Sequence, residues 1–358
     1  MHRHPDKTIA QKTDLLALTL PQLQAWLEER GAAAFRAKQI YNWLYRHLVT
    51  GFAQMSNLPG ALRARLEEEA CIGPLVVRSE LHSKDDRTRK ILLALEDGKL
   101  IESVLMLYPP LGESSARATV CVSTQAGCAY GCTFCATGQM GFERHLSAGE
   151  IVAQVLYYAR ELRAAPWQAA GLPGSAPIDH ITNIVLMGMG EPLHNYTNVL
   201  QALRILNSPD GFNLGARHMT VSTVGLAPAI RKLSQEPLQI NLAISLHAPT
   251  DELRSQTMPV NRKYPIAEVL AACQDYIAAT RRQVTFEYVL LAEVNDTPEY
   301  AHKLGELLAP LKQFAHVNCI PVNTTSASYR APGPDAIRAF RDILFAHNVS
   351  NSVRAERG

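Results

Sequence analysis

From residue 118 onward the chain repeats one pattern, a short β-branched run followed by a longer stretch with apolar residues at helical spacing. The strand-like runs cover 118–123, 181–187, 219–222, 240–245, 284–290 and 316–322. Apolar strands that alternate with helices bury both of their faces in a parallel sheet with the helices outside. This many units, with no dinucleotide fingerprint, predict an α/β fold built as a full or partial barrel. Glycine and polar residues directly follow the strands, at the carboxyl end where such folds place their sites. No internal repeat or low-complexity tract interrupts the pattern.

The residues ahead of this region are organised differently. Thr19-Leu20-Pro21-Gln22 reads as a capping box with an early proline, and Leu23, Trp26 and Leu27 follow at helical spacing up to Gly31. A second helix is expected with Phe35, Ile40, Trp43 and Leu44 on one face, and Asn57-Leu58-Pro59-Gly60 starts a third. These aromatic residues read as core rather than as base-stacking groups. Strand-like runs then begin at Leu75, Lys90 and Leu100, and Glu96-Asp97-Gly98-Lys99 carries the Asp-Gly signal of a tight hairpin between the last two. The expected domains are a helical accessory domain at 1–72, a β-strand extension and linker at 73–117, and the barrel at 118–358.

Cys128, Cys132 and Cys135 form a Cys-x3-Cys-x2-Cys loop just after the first barrel strand. Three thiols so close together cannot pair off without a remainder, but they can share one inorganic centre. A structural zinc site would need a fourth ligand, for which His145 is the nearest candidate. An iron–sulfur cubane takes one thiolate per iron, so three cysteines leave one iron open to a ligand. Seven cysteines, an odd number, argue for a reducing compartment rather than a disulfide framework. The opening Met1-His2-Arg3-His4-Pro5-Asp6 lacks an apolar leader, and no apolar run reaches the ~18–20 residues of a membrane span. A cytoplasmic protein without a membrane partner is expected. The formal net charge of +2 is uninformative alone, and basic residues recur at Arg30, Arg36, Lys38, Arg46, Arg63 and Arg65, then at Arg78, Lys84, Arg87, Arg89 and Lys90. A local basic face of this kind is what a nucleic-acid partner requires, although such residues are also ordinary solvated surface.

Motifs along nearly the whole chain carry a more specific likeness. They are Phe35-Arg36-Ala37-Lys38-Gln39-Ile40-Tyr41, Met55-Ser56-Asn57-Leu58-Pro59, the cysteine loop, Gly188-Met189-Gly190-Glu191-Pro192, Ser245-Leu246-His247-Ala248-Pro249, Asn261-Arg262-Lys263-Tyr264-Pro265 and Ile320-Pro321-Val322-Asn323. In these the chain resembles the RlmN/Cfr family of radical S-adenosylmethionine (SAM) RNA methyltransferases. The resemblance implies a partial (β/α) barrel of the radical-SAM type, with the small helical domain and a β-hairpin extension ahead of it. It implies a 4Fe–4S cluster on Cys128, Cys132 and Cys135, with SAM bound at its open iron. The activity implied is methylation of C2 of adenosine in large-subunit ribosomal RNA and possibly transfer RNA; some members of the family act at C8. Such ring carbons are poor nucleophiles, which is why a radical route is needed. A methylated cysteine carries the carbon to adenine, and a second cysteine resolves the covalent adduct.

Residue by residue, Cys121 matches the family's resolving cysteine and Glu102 its proposed general base. Gly190 and Glu191 match the motif that meets the SAM amino group, while Ser222, Ser245, His247 and Asn323 match the remaining SAM contacts. The resemblance also implies RNA as partner, an electron donor such as flavodoxin or ferredoxin, and a monomer. One difference stands out. The family's methyl-accepting cysteine lies a few residues past the segment matching Val353-Arg354-Ala355-Glu356-Arg357-Gly358, and no cysteine follows Cys319 here. Cys71, Cys273 and Cys319 read as core. Three readings stay open: a truncated ordinary enzyme, an RNA-binding paralogue that does not methylate, or another thiol acting in place of the missing one. A radical-SAM enzyme acting on a small molecule is a third function class, against which the helical domain argues.

Overall fold

The structure, a computed structural model, describes residues 12–73, 75–110, 115–168, 176–323 and 329–354. Its spine is a ten-stranded sheet in which spatial order follows chain order. The strands are β1 Val76–His82, β2 Thr88–Ala94, β3 Leu100–Tyr108, β4 Arg117–Cys121, β5 Asn183–Leu186, β6 Met219–Thr223, β7 Asn241–Ser245, β8 Val284–Leu290, β9 Ala315–Pro321 and β10 Ser350–Val353. The first four pair antiparallel. Every pairing from β4 to β10 is parallel. Among the described residues β1 and β10 do not pair with each other, so the barrel stays partial.

Helices fill the crossovers. Ala148–Ala164 follows β4, Tyr196–Asn207 follows β5, Ala227–Leu233 follows β6, and Asp251–Thr257 with Ile266–Thr280 follow β7. Pro298–Leu308 and Pro334–Ala346 complete the series. The first of them begins at a full capping box: Ser147 Oγ accepts from Glu150 N (3.1 Å) and Ser147 N donates to Glu150 Oε2 (2.8 Å). Between the helices and the sheet lie the β-branched and aromatic residues of the strands, Val221, Ile244, Phe286 and Val317 among them, all fully buried.

The extension is annexed to the barrel rather than appended to it, because β3 pairs directly with β4. Its turn is longer than the Asp-Gly signal suggested. Gly98 N donates to Leu95 O (2.9 Å) and Leu95 N to Lys99 O (2.8 Å), which makes a three-residue loop with Gly98 at φ +80°. The outer strand β1 is exposed along its whole length, with a bulge between Val77 and Ser79.

The helical residues pack as expected with one exception. The second helix, Arg36–Tyr45, buries Ala37, Ile40, Tyr41, Leu44 and Tyr45. Phe35 is left outside, 56 % exposed, with the Arg36 guanidinium over its ring at 4.5 Å. It precedes the helix and so falls off the helical stripe. The module shares one continuous core with the barrel. Polar ties lock it there: Arg160 Nε donates to Leu48 O (2.8 Å) and Arg46 Nη2 to Pro209 O (3.0 Å). Cys273 and Cys319 are fully buried, whereas Cys71 is half-buried on a two-residue ribbon with Asp14. No described helix is long and apolar enough to cross a membrane.

Candidate active site

The carboxyl ends of β5 to β8 open into one cleft, and the cysteine loop forms its outer wall. Cys128, Cys132 and Cys135 line it together with Gly190, Glu191, Ser222, Ser245 and His247. The loop is pinned at several points. Gln125–Gly127 pairs antiparallel with Phe142–His145, and Cys128 N donates to Gly141 O (2.8 Å). Thr133 N reaches across to Thr257 O (3.0 Å), and Cys135 N closes the turn on Cys132 O (3.1 Å). Gly127 has φ +72°, and a Cβ there would sit 1.9 Å from Gly141 O, so only glycine fits. Burial raises the Cys128 thiol and pushes that of Cys132 up to about 12. Thiols like these ionise on binding a cationic centre.

The opposite wall is made by the segment after β5. Gly190 has φ +98°, and a Cβ there would lie 2.4 Å from the Gln125 Cβ. That close approach lets Glu191 N donate to Gln125 Oε1 (2.8 Å). The Glu191 carboxylate is buried and cross-braced, Oε1 accepting from Leu193 N (3.0 Å) and Oε2 from Val224 N (2.8 Å). Burial raises its pKa to about 7 against those bonds, so an incoming cation would restore its charge. His247 is held in the left-handed region, φ +58°, by Asn295, whose Nδ2 donates to His247 O (2.9 Å). Val289 N donates to His247 Nδ1 (3.0 Å), which leaves the ring proton on Nε2. Burial drops the imidazole to about 3, so it remains a neutral donor facing the cleft.

Two family models match the chain. The ribosomal RNA large subunit methyltransferase N-terminal domain matches residues 13–72, and the radical SAM superfamily matches residues 176–304. A probable dual-specificity RNA methyltransferase RlmN of Roseiflexus sp. (strain RS-1) is 46% identical over 383 residues, covering 96% of this chain and 93% of its own. The dual-specificity RNA methyltransferase RlmN 1 of Myxococcus xanthus is 43% identical, covering 96% and 91%. The crystal structure of a radical SAM methyltransferase from Sphaerobacter thermophilus superposes with a TM-score of 0.89 at 46% identity, covering 97% of this chain and 96% of that one.

The chain belongs to the RlmN family of radical-SAM RNA methyltransferases. The cofactors of this family are a 4Fe–4S cluster and SAM. The residues present fit a cluster. Three free thiols share one cleft wall. A cubane takes one thiolate per iron, so three thiolates would hold it and leave one iron open. His145 is committed elsewhere: Gln125 Nε2 donates to its Nδ1 (3.0 Å), and its ring packs on Phe142 and His194.

The RlmN motif residues do not all reach the cleft wall. Cys121 is buried at the end of β4, its carbonyl accepting from Ser103 Oγ (2.9 Å), one strand beside Leu186 and Met187. Glu102 is exposed on β3, with Lys90 Nζ 3.5 Å from its Oε1. Register places Val104 opposite Cys121, so Glu102 and Cys121 share a sheet face. Asn323 is exposed just past β9, outside the cleft lining. The tail from Ala355 to Gly358 lies outside the described residues.

Some residues of the site escaped the sequence reading. Gln125 is fully buried and organises Glu191, His145 and His194. Glu287 lies on the cleft floor, accepting from Asn318 Nδ2 (2.8 Å), with its pKa raised by burial. Arg354 crosses from the end of β10 toward β3, its guanidinium 3.9 Å from Met187 Sδ and 3.7 Å from Met106 Sδ. For Glu287 the available signal was a single charged residue inside a strand-like run, Val284-Thr285-Phe286-Glu287-Tyr288.

Proposed function

We propose that this chain methylates C2 of adenosine in large-subunit ribosomal RNA, and in transfer RNA, by the radical-SAM route. The observation that carries the reading is the convergence of three loop thiols with Gly190, Glu191, Ser222, Ser245 and His247 in one cleft. Relatives named as RNA methyltransferases, alike over nearly the whole length, support this reading over the non-methylating one. When bound, the cluster and SAM supply the radical chemistry that a ring carbon without a nucleophilic lone pair demands.

The chain's own residues divide the remaining work. Cys128, Cys132 and Cys135 hold the cluster. Glu191 receives the SAM ammonium, and Gly190 allows the backbone close approach. His247 offers its Nε2 proton, and Ser222 and Ser245 supply the other SAM contacts from the cleft wall. Cys121 takes the family's resolving role, and Glu102 that of general base from the same sheet face. We assign RNA contacts to the helical domain at 1–72 and the extension at 73–117, and the chemistry to 118–358. A monomer in the cytoplasm, reduced by a flavodoxin- or ferredoxin-type donor, completes the reading.

The test is anaerobic reconstitution followed by treatment of protein-free ribosomal RNA with SAM and a reductant. The expected results are ~4 irons per chain, a reduced-state signal that changes on adding SAM, and 2-methyladenosine by nucleoside mass spectrometry. Cys132→Ala should lose the iron, whereas Cys121→Ala should keep it and form no 2-methyladenosine. Stoichiometric zinc without iron uptake would overturn the cluster assignment.

A further inference from the structure

Arg254 is the largest fully buried side chain of the described residues. Its guanidinium uses all five N–H groups, and every acceptor is neutral. Nε donates to Leu246 O (3.1 Å), Nη1 to Asn261 Oδ1 (2.8 Å) and Tyr264 O (3.3 Å), and Nη2 to Val224 O (2.6 Å) and Ser245 O (3.2 Å). No carboxylate pairs with it among the described residues. The neighbouring Asp251 Oδ1 accepts from Ile266 N instead (2.9 Å). A fully buried cation without a counter-ion is costly, and carbonyl dipoles offset only part of that cost.

The location indicates what completes the compensation. Val224 and Ser245, whose carbonyls receive Nη2, themselves line the cleft, so the charge sits one backbone layer behind its wall. The helix that carries Arg254, Asp251–Thr257, also touches the cysteine loop, because Thr257 O accepts from Thr133 N beside Cys132. Met258 lines the cleft, and its N–H donates to Arg254 O (2.7 Å). A cluster held by three thiolates is anionic, and each electron added makes it more so. Fixed charge and hydrogen bonding around a cluster set its potential.

We propose that Arg254 is the built-in counter-charge of the cluster, a positioning residue whose fixed positive charge raises the reduction potential and eases electron loading. The proposal rests on the assignment of Cys128, Cys132 and Cys135 as cluster ligands. It also gives Asn261 and Tyr264 of the Asn-Arg-Lys-Tyr-Pro motif a task, since they anchor the guanidinium.

The test is an EPR-monitored redox titration of the reconstituted full chain, with iron measured on the same samples. Arg254→Gln removes hydrogen bonds along with charge and can lose the fold, so Asn261→Asp is the decisive variant. It keeps the guanidinium and an acceptor for Nη1 but sets a carboxylate against it; of the two acceptors of Asn261 Nδ2, Ser255 Oγ (2.9 Å) can turn to donate and only Asp251 O (3.1 Å) loses its partner. At a fixed ambient potential the reduced-to-oxidised ratio of Asn261→Asp should fall at least ~10-fold, which is a shift of about 59 mV for one electron. Arg254→Lys, which keeps the charge, should stay within ~3-fold of wild type on the same scale. An unshifted potential in iron-loaded Asn261→Asp overturns the counter-charge proposal while leaving the cluster site intact. Failure of the wild type to take up iron overturns both.

Discussion

At the scale of single residues, the cleft is built from groups whose ordinary behaviour has been suppressed. His247 cannot protonate near neutrality, and its Nδ1 is already occupied by Val289 N. Glu191 is the more informative case. Its carboxyl, raised to about 7 by burial, binds a proton more tightly when folded than when unfolded. Stability contributed by that proton is present at low pH and is lost as pH rises from the ordinary carboxylate range through about 7. The cofactor-free protein should therefore lose thermal stability across that window, while SAM binding tightens as the carboxylate forms. In Glu191→Gln both slopes should flatten, and the orphaned Val224 N–H should cost about 1–3 kcal/mol. Melting curves and SAM titrations at several pH values check this, and identical pH slopes in wild type and variant would refute it.

At the scale of elements, the cysteine loop depends on its anchors more than on its own sequence. Arg144, on the short strand that closes it, reaches Asp97 Oδ2 in the extension turn (2.6 Å) and Glu150 Oε1 at the helix start (2.8 Å). Three elements are thereby stapled around the loop. Gly127→Ala would drive a Cβ into Gly141 O at the point where Cys128 N also bonds. The expected result is a folded protein with far-ultraviolet circular dichroism like wild type but well under half its iron content. The local penalty is of order 1–3 kcal/mol, typical of a strained left-handed position. Full iron loading in the variant would show that the loop tolerates rearrangement. The capping box at Ser147 was readable in the sequence because its partners are three residues apart. The staple was not, since Asp97 and Arg144 meet only after the extension folds onto the barrel.

At the scale of the whole molecule, the helical module and the barrel share one core, which changes how RNA binding should be probed. Deleting residues up to Ala70 would strip apolar surface from the barrel and confuse unfolding with lost recognition. Charge reversal on the exposed face avoids this. Many of its cations already have partners, such as Arg65 with Glu69 and Arg89 with Asp86, but exposed pairs are weak and a phosphate can displace them. Lys38, 70 % exposed and 3.8 Å from Asp210, is the most exposed of the face's ion-paired cations. Lys38→Glu combined with Arg87→Glu should weaken RNA binding and make the slope of log K against log salt shallower by about 1–2. Reductive SAM cleavage should be unchanged. An unaltered salt slope would move the RNA interface elsewhere.

The sequence by itself determined what is local and periodic: the strand and helix alternation, the helix caps and the thiol spacing. These are set by backbone sterics and by residues a few positions apart, so they can be read along the chain. Phe35 marks the limit even there, since helical spacing placed it inward and the start of the helix left it outside. Only the tertiary structure decided that Gln125 organises Glu191, that Glu287 lies on the cleft floor, and that Arg354 spans toward β3. It alone wired Arg254 to carbonyls from Val224 to Tyr264. A buried charge or amide is placed by partners that sheet closure brings together from distant segments. Its chemistry is therefore a property of the assembled barrel and not of any one stretch.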